Sequence, residues 1–147
     1  MELSKNINKA VFFMKALYNY RNNSDSVVKK YDDNYANKYL ESMIKCKHYI
    51  TSNYSETEIM QNFYNYVAYH VMLVAVNYCY HPDNKEKNKL KLLKKICQND
   101  IFKEGITNSN YENISLTRKI TLFTLKHKLY FLTEFICKIR QMQNKRG

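Results

Sequence analysis

The chain has 147 residues, 45% of them apolar and 14% aromatic, and its 24 Lys/Arg against 13 Asp/Glu give a formal charge of +11. That is enough chain to bury one core and too apolar a composition for intrinsic disorder. Two glycines and one proline leave almost none of the residues that tight turns require, which excludes hairpin-rich all-β designs, doubly wound sheets and glycine-rich phosphate loops. The composition predicts an all-α fold, a compact single-domain bundle of about five to seven helices around a central hydrophobic helix at about residues 56–80.

In chain order, the first helix is predicted from about Lys5 to Tyr20, with Ile7, Ala10, Val11, Met14, Leu17 and Tyr18 at helical spacing. The start, with Glu2, Asn6 and Asn8 breaking any apolar run, shows no secretory or transit signal, so the expected location is intracellular, cytoplasmic or nuclear. After a polar loop at residues 21–25, a second helical stretch carries Val28, Tyr31, Tyr35, Tyr39, Leu40, Met43, Ile44 and Ile50, with Asp32-Asp33 as a point where it divides.

The central helix is predicted to start near Glu56, where Ser55 and Glu58 fit a capping box and Tyr54 and Ile59 a hydrophobic staple. It must stop by His81-Pro82, because proline cannot continue the ladder and its ring pushes the preceding residue out of the α region. Its stretch Phe63 to Tyr80 is interrupted only by Asn65, His70 and Asn77. A helix apolar on all sides is buried in a globule or spans a bilayer, and the strictly apolar part, Tyr66 to Val76, is too short to span; no membrane crossing is expected.

Asp83 and Glu86 repeat the cap pattern ahead of a lysine-covered surface helix with a narrow stripe of Leu90, Leu93, Ile96 and Cys97. Gly105 is placed in a loop from Lys103 to Glu112. A last long helix is predicted from about Ser115 to Met142 and, from its wide apolar band, as the second most buried element.

Charge is uneven. Residues 1–84 hold nine Lys/Arg and eight Asp/Glu, whereas residues 85–147 hold fifteen and five. Lys85, Lys87, Lys89, Lys91, Lys94 and Lys95, with Lys138, Arg140 and the tail 138–147, form a candidate polyanion surface that would bind nucleic acid through phosphate contacts. Twelve of the fourteen tyrosines precede residue 84, away from that charge, so core packing explains them better than base stacking.

Chemistry is sparse. Cys46-Lys47-His48 and Cys79-Tyr80-His81 supply four side chains of the types that bind zinc, the basis of a zinc-stabilised structural alternative. The i, i+2 spacing works against it, since such side chains point about 200° apart on a helix. The four cysteines read most simply as free, small, buried hydrophobes. His70 sits among apolar residues without the partners that acid–base or nucleophilic catalysis needs, and is expected to hydrogen-bond a neighbouring helix. No catalytic residue and no cofactor is expected.

The asparagine-, lysine- and tyrosine-rich composition suggests an AT-rich genome, and the layout of amphipathic helices around the Phe63–Tyr80 stretch resembles the Bcl-2-like proteins of poxviruses. That resemblance covers the helical layout; the family's Asn-Trp-Gly-Arg motif is absent, as this chain has no tryptophan, and the end KIRQMQNKRG is no membrane anchor. It implies a non-enzymatic module that binds a host apoptosis or innate-signalling protein through a helical surface or groove, or forms a homodimer. Tyr35, Tyr39, Met43 and Ile44 are the candidate partner-binding residues, since Tyr anchors and Met adapts.

Overall fold

A computed structural model describes residues 31–110 and 114–144, with residue 144 described by its backbone alone. Among them are six α-helices and no strand: α1 Tyr35–Asn53, α2 Thr57–Val74, α3 Lys89–Cys97, α4 Asp100–Asn108, α5 Leu116–Lys126 and α6 Tyr130–Asn144. The fold is an all-helical bundle, as the scarcity of turn residues predicts. The helix expected over residues 5–20, Val28 and the end of the basic tail lie outside the described residues.

α2 is the axle. Phe63, Val67, Ala68, Val71, Met72 and Val74 are buried along it, and it packs against α1, α4 and α5. Full burial of a Val- or Phe-sized side chain contributes about 1.5–3 kcal/mol, so this one helix supplies much of the drive to fold. No described helix is long and apolar enough to cross a membrane.

The start of α2 is where expected, but the capping box does not form: Glu56 occupies the N-cap and no side chain caps the helix. The far end holds a surprise. Rather than stopping, the chain widens into a π-helical turn at Ala75–Cys79, closed by Tyr80 N–H donating to the Ala75 carbonyl over 3.0 Å, five residues back. Asn84 then takes up the loosened carbonyls, its Nδ2 donating to Tyr78 O at 2.7 Å and Cys79 O at 3.3 Å. Such turns rarely persist unless something satisfies the displaced backbone.

The three polar interruptions of the apolar stretch each have a structural job. Asn65 Oδ1 accepts from the Asn110 backbone N–H at 3.0 Å, tying α2 to the exit from α4. His70 is buried in a box of Tyr39, Tyr66 and Tyr69 rings. Its Nδ1 donates to the Tyr66 carbonyl at 2.8 Å, so its bond runs to its own helix rather than to a neighbour as expected. Asn77 reaches the Tyr35 hydroxyl of α1 at 3.4 Å.

Three other expectations are corrected. The cap of α3 is Asn88, whose Oδ1 accepts from Lys91 N at 2.9 Å, not Asp83. Gly105 is not in a loop but inside α4, where its missing side chain lets α4 close on α2: a Cβ there would lie 2.3 Å from Val67 Cγ1. The last helix is two helices. After α5, Lys128 adopts φ 58°, Lys128 N donates to Leu125 O at 3.1 Å and Leu129 N to Thr124 O at 2.8 Å, the paired bonds of a Schellman stop built without glycine.

Candidate functional site

Folding α5 against α6 decides which half of their apolar band is covered, and the covered half is the more polar one. From α5 the buried residues are Thr121, Leu122, Thr124 and Leu125. From α6 only Thr133 and Cys137 are fully buried. The Thr124 and Thr133 hydroxyls meet at 2.9 Å, and Thr124 also donates to the Thr121 carbonyl at 2.8 Å, so the buried hydroxyls are satisfied within the hairpin.

The opposite side is left to solvent. Leu116, Ile120 and Phe123 line α5 at i, i+4, i+7, and Phe131, Phe135, Ile139 and Met142 line α6 at nearly the same spacing, with Leu129 and Leu132 between. These are nine of the eleven large apolar side chains exposed among the described residues, and Leu116, Phe131 and Phe135 are 73%, 75% and 61% exposed. The expectation that this would be the second most buried element is therefore overturned. Exposed apolar rows of this kind make the outer side of α5 and α6 a candidate interaction surface.

The hairpin is also basic. Residues 115–144 contain six Lys/Arg and a single acid, Glu134, which is itself paired with Lys138 at 2.7 Å. Arg118 is held over the Tyr69 ring, its guanidinium carbon 5.1 Å from the centroid. Apolar rows on a hairpin this rich in cations suit a partner whose own apolar stripe is edged by acids, and disfavour a second copy of the same face.

The candidates on α1 do not make such a surface. Met43 is completely buried in the core, Tyr35 and Tyr39 are half-buried and tilted against each other at 4.9 Å, and Ile44 alone is exposed. A hydrogen bond with Tyr35, together with burial, pushes the Tyr39 phenol up to about 12, as expected for a hydroxyl inside a packed aromatic cluster. The same surface of α1 is fastened to α4 by the Lys47–Glu104 ion pair, whose carboxylate also accepts from the Tyr64 hydroxyl at 3.2 Å.

The lysine candidates divide. Lys91, Lys94 and Lys95 share the exposed face of α3, opposite buried Leu93, Ile96 and Cys97, and Lys85 and Lys87 are exposed in the loop before it. Lys94 lies 5.9 Å from the centroid of the Tyr130 ring. Lys89 is different: it is half-buried and donates to the His81 carbonyl at 3.0 Å. Lys138 is engaged with Glu134, and Arg140 is half-buried on α6.

The four zinc candidates are not brought together. Cys46 is half-buried and His48 exposed on α1, Cys79 is buried in the π turn, and His81 stacks on Tyr31 with ring centroids 5.2 Å apart. Among the described residues no three His, Cys, Asp or Glu side chains are placed to share a metal ion. Cys79, Cys97 and Cys137 are free and buried, and burial first, then the neighbouring Cys137 thiol for Cys97, pushes Cys97 and Cys137 up to about 12. Such thiols stay protonated and act as small hydrophobes.

Asn84, Asn88 and Asn65 were invisible as structural residues in an asparagine-rich chain, although each closes or caps an element. The outer face of α5 and α6 was visible only as half of a wide apolar band. No family model, no curated protein and no solved structure matches this chain.

Proposed function

We propose that this protein is a non-enzymatic interaction module that binds an amphipathic, acid-edged helical segment of a partner protein on the outer face of α5 and α6. One observation carries the reading: beside Leu122, Leu125 and Cys137 the hairpin buries three threonines, while it exposes Leu116, Ile120, Phe123, Phe131, Phe135, Ile139 and Met142. Leaving those side chains in water forgoes roughly 1.5–3 kcal/mol for each that could be covered, a reserve that a partner helix recovers on docking. The resemblance in helical layout to viral Bcl-2-like proteins supplies the partner class proposed, a host protein of apoptotic or innate-immune signalling.

Affinity capture from host-cell lysate with the wild type, Phe131→Glu/Phe135→Glu and Ile44→Glu tests it. A protein retained by the wild type and by Ile44→Glu but lost with the double variant is expected. Retention that ignores the double variant, or no retained protein, would overturn the reading.

A second reading has its own observation, the exposed lysines at 85, 87, 91, 94 and 95. They favour a polyanion such as nucleic acid, held by counterion release. Binding to generic duplex or single strands at low salt, weakening steeply with log salt, supports it; no binding at low salt removes it.

A further inference from the structure

On the other side of the hairpin, where α5 and α6 meet the end of α2, lies a half-open cleft of about 240 Å³. Its apolar wall is Met72, Leu73 and Val76. Asn77 of the π turn and Tyr69 add polar groups, and Arg118 from α5 and Arg140 from α6 both line it. Among the described residues no acidic one does.

Each part of this arrangement is held in place. The Tyr69 ring fixes Arg118 by a cation–π contact at 5.1 Å, which leaves its N–H edges free for a ligand. Gln141, next to Arg140, donates from Nε2 to the Val76 carbonyl at 2.6 Å and so locks α6 to the π turn. That turn is what carries Val76 and Asn77 to the cleft, and π turns inside α-helices recur at functional sites.

The electrostatics are one-sided. Neither arginine forms an ion pair among the described residues, and Glu134, the acid of the hairpin, is committed to Lys138. Two guanidinium groups lining one concave, partly apolar surface repel each other and focus positive potential into it, a cost that a bound anion removes. Arginine also presents the paired N–H donors that match carboxylate and phosphate oxygens.

We propose that this cleft is a binding site for a small amphipathic anion, its carboxylate or phosphate head group held by Arg118 and Arg140 and its apolar body lying on Met72, Leu73 and Val76. At about 240 Å³ the cleft is smaller than a typical drug-sized pocket, which suits a body no larger than a short acyl chain. The cleft and its ligand do not rest on the partner-binding reading of the outer face.

Calorimetric titration of the full chain with octanoate, mono-octyl phosphate, octylamine and inorganic phosphate tests this. Saturable one-to-one binding of at least one of the two anionic amphiphiles is expected. Arg118→Gln and Arg140→Gln should each weaken it about tenfold or more, Lys91→Gln and Phe131→Glu/Phe135→Glu should leave it within about twofold, and octylamine should not bind. Circular dichroism melts of the arginine variants establish that they remain folded. The proposal is overturned if neither anionic amphiphile saturates, if Lys91→Gln weakens binding as much as the arginine variants do, or if inorganic phosphate binds as tightly as octyl phosphate, since the apolar wall would then contribute nothing.

Discussion

At the scale of single residues, two backbone positions show how steric demand shapes this fold. Gly105 sits in the middle of α4, where alanine would ordinarily be favoured by up to about 1 kcal/mol, yet the adjoining Val67 leaves no room for a Cβ. Gly105→Ala is expected to cost about 1–2 kcal/mol net, a drop of roughly 3–6 °C in Tm. Val67→Ala should lose stability by cavity formation when made alone but lose less in the Gly105→Ala background, because it removes the clashing atoms. A double-mutant cycle by thermal or urea unfolding checks this coupling, and strict additivity would show that the two residues do not compete for space. Lys128 is the converse case: a β-carbon held at φ 58° where glycine is the usual choice. Lys128→Gly should raise stability by about 0.5–1 kcal/mol, read as a Tm higher by roughly 1–4 °C, and a lower Tm would mean that the lysine side chain compensates for its strained backbone.

At the scale of elements, the sequence was most informative where chain chemistry forbids continuation. Pro82 ends the central helix in any fold, and the all-round apolar pattern of Phe63 to Tyr80 identifies that helix as the axle. The π turn within it was not legible, because nothing in Ala75–Cys79 differs in composition from an α-helical run and the turn depends on Asn84 and Gln141 arriving from elsewhere. The split at residues 127–129 was equally hidden. A helix stop normally announces itself with glycine, whereas here it is made by Lys128 and by backbone bonds from Lys128 and Leu129 back to Leu125 and Thr124. Gly105 misled in the opposite direction, a turn residue used for close helix packing. The candidate face was half legible: periodicity delimits the apolar band of α5 and α6, but it assigns every Phe and Leu to the core by default, and only the inward-turned Thr121, Thr124 and Thr133, beside Leu122 and Leu125, reveal that much of the band stays exposed.

At the scale of the whole molecule, charge and exposed apolar surface coincide. The half of the chain after residue 84 carries nearly all of the net charge of +11, and the α5–α6 hairpin within it carries most of the exposed large hydrophobes. The apolar core that holds the helices together is centred instead on α2. Glutamates at Phe131 and Phe135 should therefore leave Tm within about 2 °C, as exposed substitutions away from packing contacts change stability by roughly 0.5 kcal/mol or less. The partner, by contrast, must cover the phenylalanines and face the cations. Photocrosslinking reads that contact at the residue in question: benzoylphenylalanine is introduced in place of Phe135 in one protein and in place of Ile44 in another, and both are irradiated in host-cell lysate. A discrete adduct from position 135 that is absent from position 44 is the predicted result, and adducts from neither position, or the same adduct from both, would contradict the assignment of the α5–α6 face as the binding surface.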